Sequence, residues 1–487
     1  MNDPTSDGHL LDWTQRAHLA EDMIPRVGRL YRDRGVIITL FGHSLVNKTP
    51  IEIIQLHEKA KQNFQVSISL EDSHPVMEAI SELDLSPARI DIGNLLTRLQ
   101  EGGGQVDVRA AVAVELADIC TGRASIRPEP QDVVLYGFGR IGRLVTRILV
   151  GKTGRGDALR LRAIVVRRGG ADDLEKRASL LRRDSVHGHF AGSITVDAEG
   201  EALIVNGNRI QIIYSDGPDT IDYTDYGIHD ALVVDNTGNW RSREELSLHV
   251  KAPGASKVIL TAPGKGDVPN FVYGVNHADL RDAGPVLSAA SCTTNAVVPI
   301  LKTVHDVFGI VAGHMESCHS FTSDQNLIDN YHKKDRRGRA ATLNMVVTET
   351  GAAKAVAAAL PELAGRLTGN AVRVPTPNVS LAILNLHLSR ATDVEELNGC
   401  LQAASLEGDL QNQIDYVNST EVVSSDFVGN RFAGIVDAQA TIVNGEYCVL
   451  YVWYDNEFGY SRQVVRCLEE LAGLVMPNFP HRAQSGS

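Results

Sequence analysis

A short apolar run, Val133-Val134-Leu135-Tyr136, passes directly into Gly137-Phe138-Gly139-Arg140-Ile141-Gly142. An amphipathic pattern follows, with Ile141, Leu144, Val145, Ile148 and Leu149 on one stripe. Buried strand, glycine turn and helix in that order dictate the start of a doubly wound α/β sheet. The glycines let the backbone approach a pyrophosphate, which rests on the helix N-terminus. The next apolar run, Leu161-Arg162-Ala163-Ile164-Val165-Val166, reads as a second strand. A carboxylate at the end of such a strand hydrogen-bonds the adenosine ribose and repels a 2′-phosphate. Here Arg167-Arg168-Gly169-Gly170 follows Val166 instead. Either the two guanidiniums admit NADP beside NAD, or they are solvated and NAD alone is used. Ala231-Leu232-Val233-Val234-Asp235 and Lys257-Val258-Ile259-Leu260-Thr261 continue the alternation of short strands and helices.

A second organising stretch is Leu287-Ser288-Ala289-Ala290-Ser291-Cys292-Thr293-Thr294-Asn295, after which Ala296 to Leu301 reads as helix. A cysteine on a turn into a helix lies near the first amide N–H groups, which favour an anion and bias the thiol toward thiolate. His319, in Glu316-Ser317-Cys318-His319-Ser320, is the candidate partner. An imidazole meeting that thiol holds it as an ion pair and later moves protons. A lone cysteine and a lone histidine are more often inert core residues, so the flanking sequence decides.

That flanking sequence resembles the phosphorylating glyceraldehyde-3-phosphate dehydrogenase family. The likeness rests on Ala290 to Asn295, Tyr136 to Arg143, Asp184-Ser185-Val186-His187-Gly188, Thr350 to Val356, Arg373 to Ser380, and Trp453 to Ser461. It runs from about Val133 to about Leu474 and leaves residues 1 to about 130 unexplained. The resemblance implies an α/β chain: a Rossmann doubly wound parallel sheet plus an α+β catalytic domain. The boundaries expected are 1–128 for a mostly helical extension, 129–290 for the NAD(P)-binding domain completed by a helix at 458–475, 291–457 for the catalytic domain, and 476–487 for a flexible tail.

By resemblance, Cys292 attacks an aldehyde to give a hemithioacetal, and His319 takes the hydroxyl proton as hydride leaves to NAD or NADP. Inorganic phosphate then opens the thioester. Cofactor contacts fall to Gly137, Phe138, Gly139, Arg140, Ile141, Gly142, Arg167, Arg168, Thr237, Gly238, Thr261, Asn456 and Tyr460. The substrate's phosphate falls to Thr322, Asp324 and Arg373, and the attacking phosphate to Ser291, Thr293, Thr350 and Gly351. Tyr136 departs from the family, which usually has Asn there, and Trp240 is either an adenine neighbour or a packing residue. A homotetramer using a small phosphorylated aldehyde and inorganic phosphate is implied, with no metal. Two rivals are an erythrose 4-phosphate dehydrogenase and a regulatory or RNA-binding protein that keeps the fold.

The remaining features bound the setting. Net charge is −13, so general nucleic-acid affinity is not expected. The basic run Lys333 to Arg339 reads as a subunit-facing or solvated loop. Six cysteines without paired spacing point to a reduced, cytoplasmic protein. No run of about 18 apolar residues supports a membrane span. In the extension, Ala20, Met23, Ile24, Val27 and Leu30 recur at helical spacing around a bend expected at Pro25. Thr49-Pro50-Ile51-Glu52 opens a second helix, and Ser86-Pro87 a third that carries Ile90 and Ile92 and ends at Gly102-Gly103-Gly104. Asp107 caps a last one that stops at Thr121-Gly122, and Pro128-Glu129-Pro130 marks a linker.

Overall fold

Residues 6–64, 66–101, 107–120, 127, 129–152, 158–348 and 350–481 are described by a computed structural model. The Gln131–Tyr136 strand enters the middle of an eight-stranded sheet between Ala231–Asp235 and Leu159–Val166, parallel to both. Ala255–Leu260 and Val286–Ser288 extend one side and Asn208–Tyr214 the other, again in parallel. Val133, Val134 and Leu135 have no exposed surface, because helices cover both faces and no polar alternation is required. A hairpin of Ile194–Asp197 and Ala202–Val205 finishes one edge antiparallel. The chain reverses its direction of travel across the sheet at Gln131–Tyr136, so the glycine turn lies at the switch point where such sheets hold ligands.

The second sheet joins Ile310–Ser320 in parallel with Leu367–Val374 and antiparallel with Ser380–Leu388, which pairs with Tyr447–Tyr454. The Cys292–Phe308 helix lies on it and buries Val297, Val298, Ile300, Leu301 and Val304. The Phe458–Leu471 helix returns to the first sheet. Its Val464, Val465 and Leu468 share a core with Val145, Ile148 and Leu149 of the Arg140–Gly151 helix.

The extension is mostly helical, as expected, but also carries a small sheet. Helices Pro50–Phe64, Leu70–Glu82 and Val108–Glu115 form, and Ser6–Arg29 runs through Pro25 without stopping before a π-turn at Leu30–Arg34. Among them lies a small sheet in the order His43–Ser44, Ile37–Leu40, Arg89–Asp91, Asn478–Phe479. The helix expected from Ser86 therefore begins only at Ile92. Asp91 explains the boundary: its carboxylate accepts hydrogen bonds from the Phe41 and Gly42 amides, the Thr39 hydroxyl and the Asn94 amide. One side chain thus ties the strand to its neighbour and caps the helix after it. Within the 476–487 segment expected as a flexible tail, Asn478–Phe479 supplies the fourth strand, in register with Arg89 and Ile90 and with Phe479 buried, while residues 482–487 lie outside the described residues. The expected stops at 102–104 and 121–122, and Pro128 of the linker, lie outside the described residues.

Extension and catalytic domain share one core. The Phe41 ring packs 5.3 Å from Phe64, and Phe64 stacks 6.4 Å from Tyr416. Asn94 and Gln402 donate across the junction to the carbonyls of Leu406 and Asn63. Gly93 is required where the Ile92–Glu101 helix meets that ring, since a Cβ there would lie 2.8 Å from Phe41. Phe41→Ala should therefore lower the stability of the whole chain by about 3–5 kcal/mol in urea unfolding. A separate early transition, with the dehydrogenase body unmoved, would contradict the shared core.

Candidate active site

The strand Val286–Ser288 ends in a turn that the sequence makes strained. Ala290 has φ +54°, a left-handed value that non-glycine residues hold only at a cost of about 1–3 kcal/mol. Side chains fix it from three sides. Tyr460 donates its hydroxyl to the Ala290 carbonyl (2.9 Å), the Ala290 amide donates to Ser288 Oγ (3.0 Å), and Asn295 Nδ2 donates to the Ala289 and Ser291 carbonyls. Ser291 then caps the helix, its Oγ accepting from the Thr294 amide, and Cys292 occupies the first helical position.

His319 reaches the same point from the second sheet, with Nε2 3.4 Å from Cys292 Sγ. Its Nδ1 lies 2.7 Å from the Ser320 carbonyl. Arg373 Nη1 lies 2.8 Å from the same Nδ1. With its proton on Nδ1 the ring donates to the Ser320 carbonyl and leaves Nε2 as the acceptor facing sulfur; with Nδ1 bare it accepts from Arg373 instead. Parallel register sets Arg373 beside His319, and Arg373 Nη1 donates to the same Ser320 carbonyl at 2.9 Å. Tyr454 supports both sides of the pair, its hydroxyl within 3.0 Å of Thr293 Oγ1 and 2.7 Å of Ser317 Oγ.

The electrostatics differ from the expected ion pair. Burial pushes the Cys292 thiol up, against the opposing pull of the Arg373 charge and of Thr293. Burial, then the Arg373 charge, press His319 down to about 3. The pair rests as thiol and uncharged imidazole, because desolvation outweighs the field of the helix N-terminus. The base is thus ready before any proton leaves sulfur.

The other expected contacts divide. Arg373 keeps its Nη2 free of protein partners among the described residues, and its buried Nε is likewise unpaired. The Thr322 hydroxyl has no partner among the described residues either. Asp324 is bound by Arg337, a residue of the run expected to form a subunit-facing or solvated loop. Arg337 turns inward, bonding Thr348 and Asp324, while Lys333, Lys334 and Arg336 of the same run are exposed. The Ser291 and Thr293 hydroxyls are bonded to Thr294 and Tyr454. Thr350 accepts from the Ala352 amide, beside an open position at Gly351.

At the glycine turn, Gly137 has φ +94°, and a Cβ at Gly142 would lie 2.6 Å from the Gly137 carbonyl. A Cβ at Gly139, which caps the helix, would meet nothing within 4 Å, so that helix end is open. Phe138 is buried and Ile141 packs on the domain core. Thr237 and Thr261 are both bonded to buried Asp235, which organises that rim together with Gly238 at φ +63°. Arg140 is no free cation for a phosphate: Asp184 and Glu457 hold it in a clamp between the two halves of the domain. Tyr460 likewise has its hydroxyl engaged, by the cysteine turn. Arg168 is paired with Glu201 and lies 3.7 Å over the Tyr214 ring, while Arg167 remains exposed. Tyr136 and Trp240 pack edge to face on each other and on His249.

A bound dinucleotide fits this frame. Asn456 is buried, its Oδ1 accepts from Ser320 and Ser380, and its Nδ2 has no partner among the described residues. A fixed amide with a spare donor suits a nicotinamide carboxamide. Among the described residues one His/carboxylate trio, Asp22, His74 and Glu78, has metal-like spacing, but both acids already bind Arg26. No helix among them is long and apolar enough to cross a membrane.

Comparison with known proteins bears on the same segments. Residues 131–243 match the model described as glyceraldehyde 3-phosphate dehydrogenase, NAD binding domain, and residues 291–456 match its C-terminal domain. A glyceraldehyde-3-phosphate dehydrogenase-like protein of Pseudomonas aeruginosa is 56% identical over 460 residues, 94% of this chain and 100% of that protein. A plasmid glyceraldehyde-3-phosphate dehydrogenase of Cupriavidus necator is 43% identical over 341 residues, 70% of this chain and 98% of the relative. The Zymomonas mobilis enzyme is 38% identical over 342 residues, with the same coverage.

The neutral imidazole has a measurable consequence. An unfolded histidine takes a proton near pH 6.5, whereas folded His319 resists down to about 3. Its contribution to stability is therefore full above pH 6.5 and is lost as pH falls toward 3. Unfolding free energy should drop across that window more steeply than in His319→Gln, by up to about 1.4 kcal/mol per pH unit. Parallel urea profiles for the two proteins would contradict this.

Proposed function

Because the chain belongs to the glyceraldehyde 3-phosphate dehydrogenase family, we propose that it oxidises D-glyceraldehyde 3-phosphate to 1,3-bisphosphoglycerate through a thioester on Cys292. The observation that carries this reading is the 3.4 Å approach of Sγ and Nε2 beside a guanidinium with a free edge. The sulfur attacks the aldehyde carbon as its proton passes to Nε2, giving a hemithioacetal. The imidazolium so formed returns that proton to the nascent oxyanion, so Nε2 is again uncharged and accepts the hydroxyl proton at oxidation. The chemistry a bound dinucleotide supplies is a hydride acceptor, which oxidation of a hemithioacetal to a thioester requires.

Arg373 and Thr322 hold the substrate's phosphate through unpaired donors, Arg373 with a planar fork that suits it. Asp324 acts through Arg337, keeping a second guanidinium in place. Thr350 and Gly351 receive inorganic phosphate, which opens the thioester by attack on its carbonyl carbon and restores the thiol. Asn456 fixes the nicotinamide end. Both NAD and NADP serve, since no carboxylate closes the Leu159–Val166 strand and Arg167 is exposed there. The exposed side chains of Leu327, Ile328, Tyr331, Leu343 and Met345 support assembly of copies into a homotetramer.

Initial rates with each cofactor, with and without phosphate, test the reaction. Cys292→Ser should abolish turnover and His319→Asn should lower kcat about 10²–10⁴-fold. Turnover that survives Cys292→Ser, or that ignores phosphate, would overturn the reading. Light scattering of the purified chain should give the mass of four copies, and a monomer would remove the assembly claim.

A further inference from the structure

A cavity of about 570 Å³ lies where the extension meets both the cofactor domain and the C-terminal helix. Its walls carry eight Lys and Arg residues against two carboxylates, Asp426 and Glu469. Glu469 is already taken by Lys152. Arg32 and Lys59 are exposed, Lys48 is paired with Glu52, and Arg147 donates to backbone carbonyls, which leaves Arg89, Arg431 and Arg462. Arg462 is 8% exposed and has no hydrogen bond or carboxylate partner among the described residues. Arg89 Nη1 and Arg431 Nε and Nη2 are buried without partners among the described residues. Arg466, directly behind, is 4% exposed with Nη2 also unpaired. Burial, then the charge of Arg89, push Arg462 down to about 9, and burial drives Arg431 and Arg466 down as well.

Buried charges are ordinarily paired, because an unpaired one forfeits its hydration. Here several guanidiniums from three parts of the chain converge with their donors unused: Arg89 from the extension's sheet, Arg431 from the catalytic domain, Arg462 from the helix that closes the cofactor domain. Their planar forks match phosphoryl oxygens. The space exceeds a single phosphate and suits a small organic ligand, and Ile37, Leu56 and Met476 give it an apolar wall. Cys292, His319 and Arg373 are not among its lining residues.

We propose that this cavity is a binding site for a small phosphorylated molecule, held by Arg89, Arg431 and Arg462 at the seam between the extension and the dehydrogenase body. The site does not depend on the reaction assigned to Cys292. An occupant supplies the missing anion and clamps the seam, so it stabilises the folded chain by mass action.

The test uses the full chain saturated with NAD, with pyrophosphate as the probe and citrate as a phosphate-free anion of similar charge. Pyrophosphate should raise the wild-type melting temperature, and equilibrium dialysis should count one site that Arg462→Gln and Arg431→Gln weaken at least tenfold. Binding at the catalytic phosphate pocket is common to all three proteins and cancels in the comparison. Each variant should melt higher than wild type without ligand, because an unpaired buried charge has gone, and should keep its dehydrogenase turnover. Arg462→Lys, which keeps a charge, should melt no higher than wild type. Pyrophosphate binding unchanged in the Gln variants, a lower melting temperature in both, or citrate bound as tightly as pyrophosphate would each overturn the proposal.

Discussion

The left-handed turn at Ala290 is the constraint on which the rest of the site depends. It aims the backbone so that Cys292 becomes the first residue of a buried helix while its sulfur faces the second sheet. Such a conformation persists only when its surroundings over-determine it. The supports come from both domains: Ser288 from the strand before the turn, Asn295 from the helix after it, and Tyr460 from the helix that returns to the first sheet. Loosening any one of them moves the nucleophile relative to His319.

The same economy governs the proton. One carbonyl, that of Ser320, lies within hydrogen-bond distance of both His319 Nδ1 and Arg373 Nη1. That shared acceptor orients the imidazole and sets a permanent charge next to it. The charge disfavours imidazolium while no anion is near, so the base stays uncharged until an oxyanion or phosphate offsets Arg373. The pair is therefore matched to a substrate that brings its own negative charge.

What the sequence made legible was local. Gly137, Gly139 and Gly142 follow their strand directly, and Cys292 sits one residue after its cap, so short-range rules reached them. Contacts that depend on distant pairing were invisible. Arg140 was expected among the cofactor contacts from its place in the glycine turn, and nothing near it in the chain announced that Glu457, from the far end, would hold its guanidinium. The bonds of Tyr460 to Ala290 and of Arg337 to Asp324 were hidden for the same reason, and Asp235 passed as a strand end though it anchors Thr237 and Thr261. In the extension, Ile90 and Ile92 fit a helical stripe, and only the carboxylate of Asp91, bonded to Phe41 and Gly42, shows why the chain stays extended there.

The strand at Asn478–Phe479 has a bearing on how the molecule is made. During vectorial synthesis the extension's residues leave the ribosome first, and their neighbours Arg89 and Ile90 wait with one open edge. That edge closes only after the entire dehydrogenase body has been translated. The extension and the segment after the body are therefore joined last, as a latch, and a ribosome that stalls inside the body releases a product whose extension still presents a strand seeking a mate.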